Sequence, residues 1–373
     1  MVHLIAIWLL AALVTGSTVF CALVIAAAWQ YRQMAPMMPE QEPVSILKPL
    51  SGLDEGLESN LRTFFEQHYG GPFEILFAVR HANDAAVPVV EKLRAEHPSV
   101  PTRLIITGDA PYANRKVWAL ERMMAEAQYD LLAMSDSDIR VDPAFLATVA
   151  GEFQNPALQI ATCPYRAVGG SSLWSRLEAT GLNTEFIGGI LVARMLEGMR
   201  FAVGPTIVAR KHALEQLGGW RAFREYLAED FVVGQRAAEA GMGVGLSRYV
   251  IEHHIGTQSF TANMGHRLRW VRSTRRSRPA GYVGELFTKT TPLALLLWLA
   301  APGWWLLAAI ALIARAAAAI AAARTVRVTI NWPRLLAQDV LSFAFWFFGF
   351  FGNTIAWRGQ KYYLHPDGKF EVI

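Results

Sequence analysis

Cysteine is nearly absent: Cys21 and Cys163 are the only two in 373 residues. One falls in a long apolar run and the other in a polar stretch, so no disulfide framework holds this chain together. Charge is scarce as well, with 18% Asp, Glu, Lys and Arg against 53% hydrophobic residues. A soluble globular domain carries nearer ~25% charged residues, so an ordinary soluble protein is excluded. No internal repeat or low-complexity tract appears apart from the alanine-rich 316–323. Aromatic and basic residues do not alternate along any recognisable surface, which argues against nucleic acid as a partner.

What replaces charge is apolar length. Residues 5–29 carry no charge, and at ~1.5 Å per residue they can cross the ~30 Å core of a bilayer. No Lys or Arg precedes this run, and 29–38 offers no small-residue cleavage site, so residues 1–32 read as a retained anchor. Two further apolar regions, 286–323 and 335–357, lie near the other end. The first is broken at Ala301-Pro302-Gly303, giving two helices or one kinked helix with an interfacial tail. The region 285–357 is therefore expected to hold two or three spans, with a tail at 358–373. Arg267, Arg269, Arg272, Arg275, Arg276 and Arg278 stand just before it. Short positive stretches beside spans stay on the cytoplasmic side, which places the polar segment 40–284 in the cytoplasm. The net charge of +4 is concentrated in this cluster and suits an anionic membrane surface or phosphates.

Within 40–284, apolar runs alternate with helical spacings. Val44 to Leu47, Phe73 to Val79, Arg103 to Thr107 and Asp130 to Met134 read as strands. Leu57 to His68, Val87 to Ala95 and Lys116 to Ala127 read as helices. Connections this short imply an α/β fold with a parallel sheet, whose ligands bind beyond the carboxyl ends of its strands. Lys48, Asp84 and the pair Asp136 and Asp138 all follow such strand ends. They should converge on one crevice.

Asp136-Ser137-Asp138 offers two carboxylates, the hard oxygen ligands of Mg²⁺ or Mn²⁺, and such a cation would hold a diphosphate. A turn-capping aspartate beside a solvated one would look the same. Asp84 reads equally as a helix N-cap, Lys48 as a loop lysine and Lys116 as part of a basic helix start. Glu229 and Asp230 precede Phe231, Val232 and Val233. An acid set against an apolar wall is poorly solvated and suited to take a proton, although helix-terminal acids favoured by the dipole give the same pattern. Arg269, Arg272 and Arg276 share one helix face beside Trp270, as a membrane-surface helix also would. Residues 186–203 are mostly apolar but include Arg194, Glu197 and Arg200, too many charges for a span. They read as an amphipathic helix with its apolar side towards lipid, or as core packing.

In order along the chain, "VSILKPLSGLDEGLESNLRTFFEQHY", "FAVRHANDAAVPVVEKL", "YDLLAMSDSDIRVDP", "CPYRAVGG", "ALEQLGGWRAFREYLAEDF" and "HRLRWVR" resemble the ceramide glucosyltransferase family. These are family-2-like glycosyltransferases, with bacterial relatives that glycosylate hopanoids. The resemblance implies a Rossmann-like GT-A catalytic domain over 40–284, with interfacial helices near 186–203 and 263–278, flanked by transmembrane helices. It implies an integral protein of the bacterial inner membrane. It also implies that Asp84 contacts the nucleotide, that Asp136 and Asp138 hold a divalent cation and the diphosphate, and that Asp230 is the catalytic base. Arg269 and Trp270 match the end of the family's Gln/Arg-x-x-Arg-Trp signature, whose first position is His266 here. Lys48, Lys116 and His266 complete the expected donor side. The implied activity is an inverting transfer of glucose or N-acetylglucosamine from a UDP-sugar to a lipid hydroxyl, on ceramide or a hopanoid polyol. A processive polysaccharide synthase shares the Arg-Trp ending but needs more spans to build a polymer channel. From another class, a membrane transport or scaffold protein could use the same domain only to bind nucleotide.

Overall fold

Three apolar runs build the first half of a sheet: β1 (Val44–Pro49), β2 (Phe73–Val79) and β3 (Thr102–Ile106). Helices Leu57–Phe65 and Val87–Glu96 connect them, and helix Arg115–Glu126 leads on to β4 (Leu131–Ser135). β1, β2 and β4 are buried almost throughout, which is why their sequences run apolar instead of alternating. The structure, a computed structural model, describes residues 1–35, 38, 40–357 and 359–373. Part of the 29–38 stretch, and Arg358 within the expected tail, lie outside it.

Six more strands follow in the same domain: β5 (Ile139–Arg140), β6 (Leu158–Thr162), β7 (Tyr165–Gly169), β8 (Thr206–Arg210), β9 (Gly243–Leu246) and β10 (Ile251–Gly256). The main sheet has the order β3-β2-β1-β4-β8-β6-β9. Its β3-β2-β1-β4 half is parallel, as the sequence implied. The other half is not: β8 runs antiparallel to both β4 and β6.

Chain order decides where a ligand fits. β1, β2 and β3 step outwards in one direction, and β4 then returns to the other side of β1. At such a reversal the loops after neighbouring strands part and leave a crevice. Asp136 directly follows β4 and therefore stands in it. A second sheet, β5-β10-β7, brings up another side chain. Antiparallel pairing of β10 with β5 sets His253 opposite Ile139, next in sequence to Asp138.

Helices Val2–Arg32 and Pro302–Thr325 are each long and apolar enough to cross a membrane, and Thr290–Ala300 is a shorter apolar helix. The break at Pro302 is present, as a 3₁₀ turn between Thr290–Ala300 and Trp305–Thr325. Ala27 and Ala28 on the first helix and Ala318 and Ala322 on the other belong to one packed cluster. Small side chains allow such close approach.

The last apolar region departs from expectation. Its helix, Trp332–Phe348, does not continue to Trp357. Gly352 turns the backbone at a φ of 78°, and Arg272 donates to the carbonyls of Phe351 at 3.0 Å and Thr354 at 2.7 Å. Arg275 donates to Gly352 O, and both Arg275 and Arg276 to Asn353 Oδ1. Three arginines expected to face a membrane surface or phosphates thus fasten a turn. Beyond it, β11 (Thr354–Trp357), β12 (Gln360–Leu364) and β13 (Phe370–Val372) form a small antiparallel sheet in place of a span end and tail. Helix Ile187–Glu197 also differs from the lipid-facing segment expected over 186–203. It ends at Gly198, with φ of 73°, and its buried residues pack in one cluster with Val24, Ala27 and Ala28 of the first helix. Core packing is the arrangement adopted.

Candidate active site

The acidic turn after β4 rests on a buried cation. Lys48 Nζ donates to Asp136 O at 2.6 Å and Ser135 Oγ at 3.3 Å, and lies 3.8 Å from the centre of the Phe64 ring. Burial draws its pKa down to about 7, while Asp136 and Asp138 act to raise it. The side chain is fully buried. Lys48 was expected to contact a donor; its position corrects that, because its ammonium is consumed in holding the Asp136 backbone.

Lys116 occupies the place above the turn. Asn114 caps its helix by accepting from Val117 N at 3.1 Å, and the same amide donates to Tyr226 O at 2.8 Å. That double use ties the helix start to the loop before Glu229. Lys116 Nζ then sits 2.7 Å from Asp136 Oδ1 and 3.3 Å from Glu229 Oε1. Burial works against its charge, but the two carboxylates outweigh it and hold the ammonium above its ordinary value. Burial pushes the Asp136 carboxyl up, with Lys116 opposing.

Glu229 and Asp230 form the first turn of helix Glu229–Glu239, where the dipole favours negative charge. Burial, then the neighbouring Glu229 charge, push the Asp230 carboxyl up to about 6, with Lys116 pulling the other way. A carboxylate of that strength is mostly ionised at neutral pH yet accepts a proton readily. It packs against Gly204, where a β-carbon would lie 2.8 Å from Asp230 Oδ2.

Asp138 pairs with His253, Nε2 to Oδ2 at 3.2 Å. Burial would raise its carboxyl, but His253, with help from Lys48, holds it below its ordinary value. Asp138 Oδ1 is buried with no hydrogen-bond partner among the described residues. Asp84 accepts from the backbone N–H of Gly52 at 3.0 Å and of Ala86 at 2.9 Å, so it also fixes the loop after β1. His266 Nδ1 meets the buried Glu178 carboxylate at 2.8 Å. Its ring lies 5.3 Å from that of Trp270, and Arg269 sits 5.5 Å from the Trp357 ring.

One cleft of about 960 Å³ is lined by Asp84, Lys116, Asp136, Asp138, Asp230, His266, Arg269 and Trp270. Of the residues singled out in the sequence, Lys48 alone is sealed from solvent. Three contributors to this site went unread: Glu178, His253 and Gly204. Paired histidines within a short apolar run, in "IEHHIG", were the available signal for His253. Neither a helical glutamate nor a loop glycine carries such a mark.

No three His, Cys, Asp or Glu side chains among the described residues make a ready metal cage. Even so, the unpartnered Asp138 Oδ1 beside Asp136 is the acceptor a cation would fill. Mg²⁺ and Mn²⁺ suit a site with few protein carboxylates, since phosphate and water complete their shells. The residues fit such an ion.

A mixed sheet with its acids at the switch point defines the GT-A class of glycosyltransferase fold. A mannosyltransferase of Pyrobaculum calidifontis, solved with GDP-Man and Mn²⁺, shares it with a TM-score of 0.54. The two are 18% identical, and the match covers 92% of this chain and 99% of that one. The chain belongs to glycosyl transferase family 21, whose sequence model matches residues 6–370. Ceramide glucosyltransferase 1 of Caenorhabditis elegans is 27% identical over 239 residues, 63% of this chain and 50% of the relative. Ceramide glucosyltransferase 3 of the same animal is 29% identical over 232 residues, 61% and 50% respectively. The chain spans about half the length of the curated relatives it matches.

Proposed function

We propose that this protein transfers a sugar from a UDP-sugar to a hydroxyl of a membrane lipid, with inversion. Its relatives named ceramide glucosyltransferases support the reaction class. One observation carries the reading. The cleft that contains Lys116, Asp136, Asp138 and Asp230 is also lined by Phe20 of the N-terminal apolar helix and by Gly189, Ala193 and Phe345. A polar donor site and an apolar path towards the membrane helices are therefore one chamber.

In this reading Asp84 positions the loop that meets the nucleotide. Lys116, Arg269 and His266 face the diphosphate, and Trp270 walls the sugar. Asp136 and Asp138 would hold a divalent cation, as Mn²⁺ accompanies the structural neighbour; when bound it supplies positive charge to the departing diphosphate. Asp230 takes the proton of the acceptor hydroxyl as that oxygen attacks the anomeric carbon. One displacement with one base inverts the configuration, and no second nucleophilic carboxylate is required. Residues 1–32 would anchor the chain, and 40–284 would form the cytoplasmic catalytic domain at a bacterial inner membrane.

The test is UDP release by the full chain in vesicles, with UDP-glucose or UDP-N-acetylglucosamine, with and without lipid acceptor and divalent metal. Release that requires both, with a monoglycosylated lipid as product, is expected. A polymeric product would mark a synthase instead. Nucleotide binding with no turnover under any condition would mark a binding protein.

A further inference from the structure

The C-terminal sheet, β11 to β13, also walls the cleft: Trp357 and Tyr362 line it beside Leu227 and Arg269. Strand alternation decides which side chains do so. In β11, Ile355 and Trp357 turn to one face, while Thr354 and Ala356 are exposed on the other. Ile355, Tyr362, Leu364 and Phe370 pack with Leu227, and Ala113 and Trp357 lie against that cluster. Ala113 directly precedes the Asn114 cap of the Lys116 helix, and Leu227 stands just before Glu229 and Asp230. The sheet is thus seated on both loops that lead into the acidic site.

Backbone bonds fix this seating. Phe370 N–H donates to Glu225 O at 2.9 Å, and Lys369 pairs with Tyr226 in an antiparallel bridge. On its other side the sheet meets helix Phe260–Ser277. Arg272 holds the carbonyls of Phe351 and Thr354, and a β-carbon on Gly368 would lie 3.2 Å from Ser277 Oγ. Arg269 is on the same helix, with its guanidinium 5.5 Å from the centre of the Trp357 ring. A guanidinium near an indole face is attracted by the ring quadrupole, and its planar shape suits stacking there. A tryptophan on a sheet pinned from two sides is a rigid support. A long arginine side chain without such a support has many rotamers to lose when it meets a ligand.

We propose that Trp357 is a positioning residue for Arg269: its indole holds the guanidinium in the cleft, where the diphosphate of the donor arrives. Arg269 touches the donor, and Trp357 acts through it. The C-terminal sheet is then a wall of the donor site and not an appendage. This rests on the proposed role of Arg269 as a diphosphate contact.

The test is binding by the full chain in detergent with Mg²⁺, using UDP and uridine, which differ only in the diphosphate. Trp357→Leu keeps an apolar side chain without a π face. It should weaken UDP roughly threefold to tenfold, within the range of a partly desolvated cation–π contact, and leave uridine unchanged. Trp357→Phe restores a π face and should retain most of the UDP affinity. A role in packing alone would weaken uridine as well. Arg269→Ala should weaken UDP by itself, and adding Trp357→Leu to it should cost nothing more, because the tryptophan acts through the arginine. Additive losses in the double variant, equal losses for UDP and uridine, or full UDP affinity in Trp357→Leu overturn the proposal and leave the role of Arg269 standing. Unchanged UDP affinity in Arg269→Ala removes its diphosphate contact, and the proposal with it. A wild type that binds neither ligand overturns the UDP-sugar reading itself.

Discussion

Lys116 Nζ lies 2.7 Å from Asp136 Oδ1 and bridges on to Glu229. It is the ammonium that restrains a group of neighbouring acids. Asp230, with its pKa raised to about 6 chiefly by burial, is kept from rising further by this cation. If ionised Asp230 is the base, activity is present above pH 6 and falls as pH drops through it. Removing the cation raises that carboxyl, so Lys116→Gln should shift the acidic limb of the kcat profile to higher pH. A pH–rate series on wild type and variant checks this. A limb that stays in place would separate Lys116 from the base.

The orphaned Asp138 Oδ1 gives the metal expectation a physical basis. Asp136→Ala and Asp138→Ala should each remove most activity, and chelation should reproduce the loss in the wild type. The check is UDP release after exhaustive chelation with metal content measured. Full activity in metal-free protein would exclude the ion.

How far the sequence revealed this site follows from what each signal depends on. β2 and β4 were legible because strands buried on both faces must be apolar over their length. Asp136 and Asp138 were expected in the cleft because they follow a strand end, where the α/β rule places ligands, and Asp230 because an acid set against an apolar run is poorly solvated; all three line the cleft. β8 was not, since antiparallel insertion leaves no trace in a run of five residues. Lys48 misled because a lysine before a proline reads as the start of a loop, whereas β1 continues through it and its side chain is buried. The arginines at 272, 275 and 276 misled because capping a turn and facing anionic lipid call for the same residue type.

Topology can be read directly. Both native cysteines are buried, so a single surface cysteine would report cleanly. If the catalytic domain is cytoplasmic, as proposed, a cysteine at Glu91, on the exposed side of helix Val87–Glu96, should resist membrane-impermeant reagent in intact cells and react after permeabilisation. Ready labelling in intact cells would reverse the orientation.

Stability among the apolar helices should depend on a buried ion pair. Arg315 donates to Asp339 at 2.7 and 3.0 Å, and Thr291 adds a bond to the same carboxylate. Both charged residues are buried. Removing one partner leaves the other charge uncompensated, at a cost of ~3–5 kcal/mol. Arg315→Met should therefore lower the thermal midpoint in detergent clearly. Adding Asp339→Leu should recover a large part of the loss. Equal midpoints for wild type and Arg315→Met would show that the pair contributes nothing.

The sharpest test of the base uses its neighbour. A methyl group at Gly204 would lie 2.8 Å from Asp230 Oδ2, closer than atoms settle without movement. The nearest atom is the end of a short side chain, so the carboxylate gives way while the backbone stays. Gly204 is not in the left-handed region, so alanine there brings no backbone strain. Gly204→Ala should thus displace the carboxylate while leaving the fold and the UDP-sugar affinity near normal. Asp230→Asn keeps the shape but cannot accept a proton, and should lower turnover by ~10²–10⁴-fold, the usual range for a general base. Gly204→Ala should fall short of that, because a displaced base still functions in some orientations. Turnover with lipid acceptor, and UDP-sugar affinity by calorimetry, distinguish the outcomes. Normal turnover in Asp230→Asn would move the base to Glu229. Loss of UDP-sugar affinity in both variants would instead make Asp230 part of the donor site.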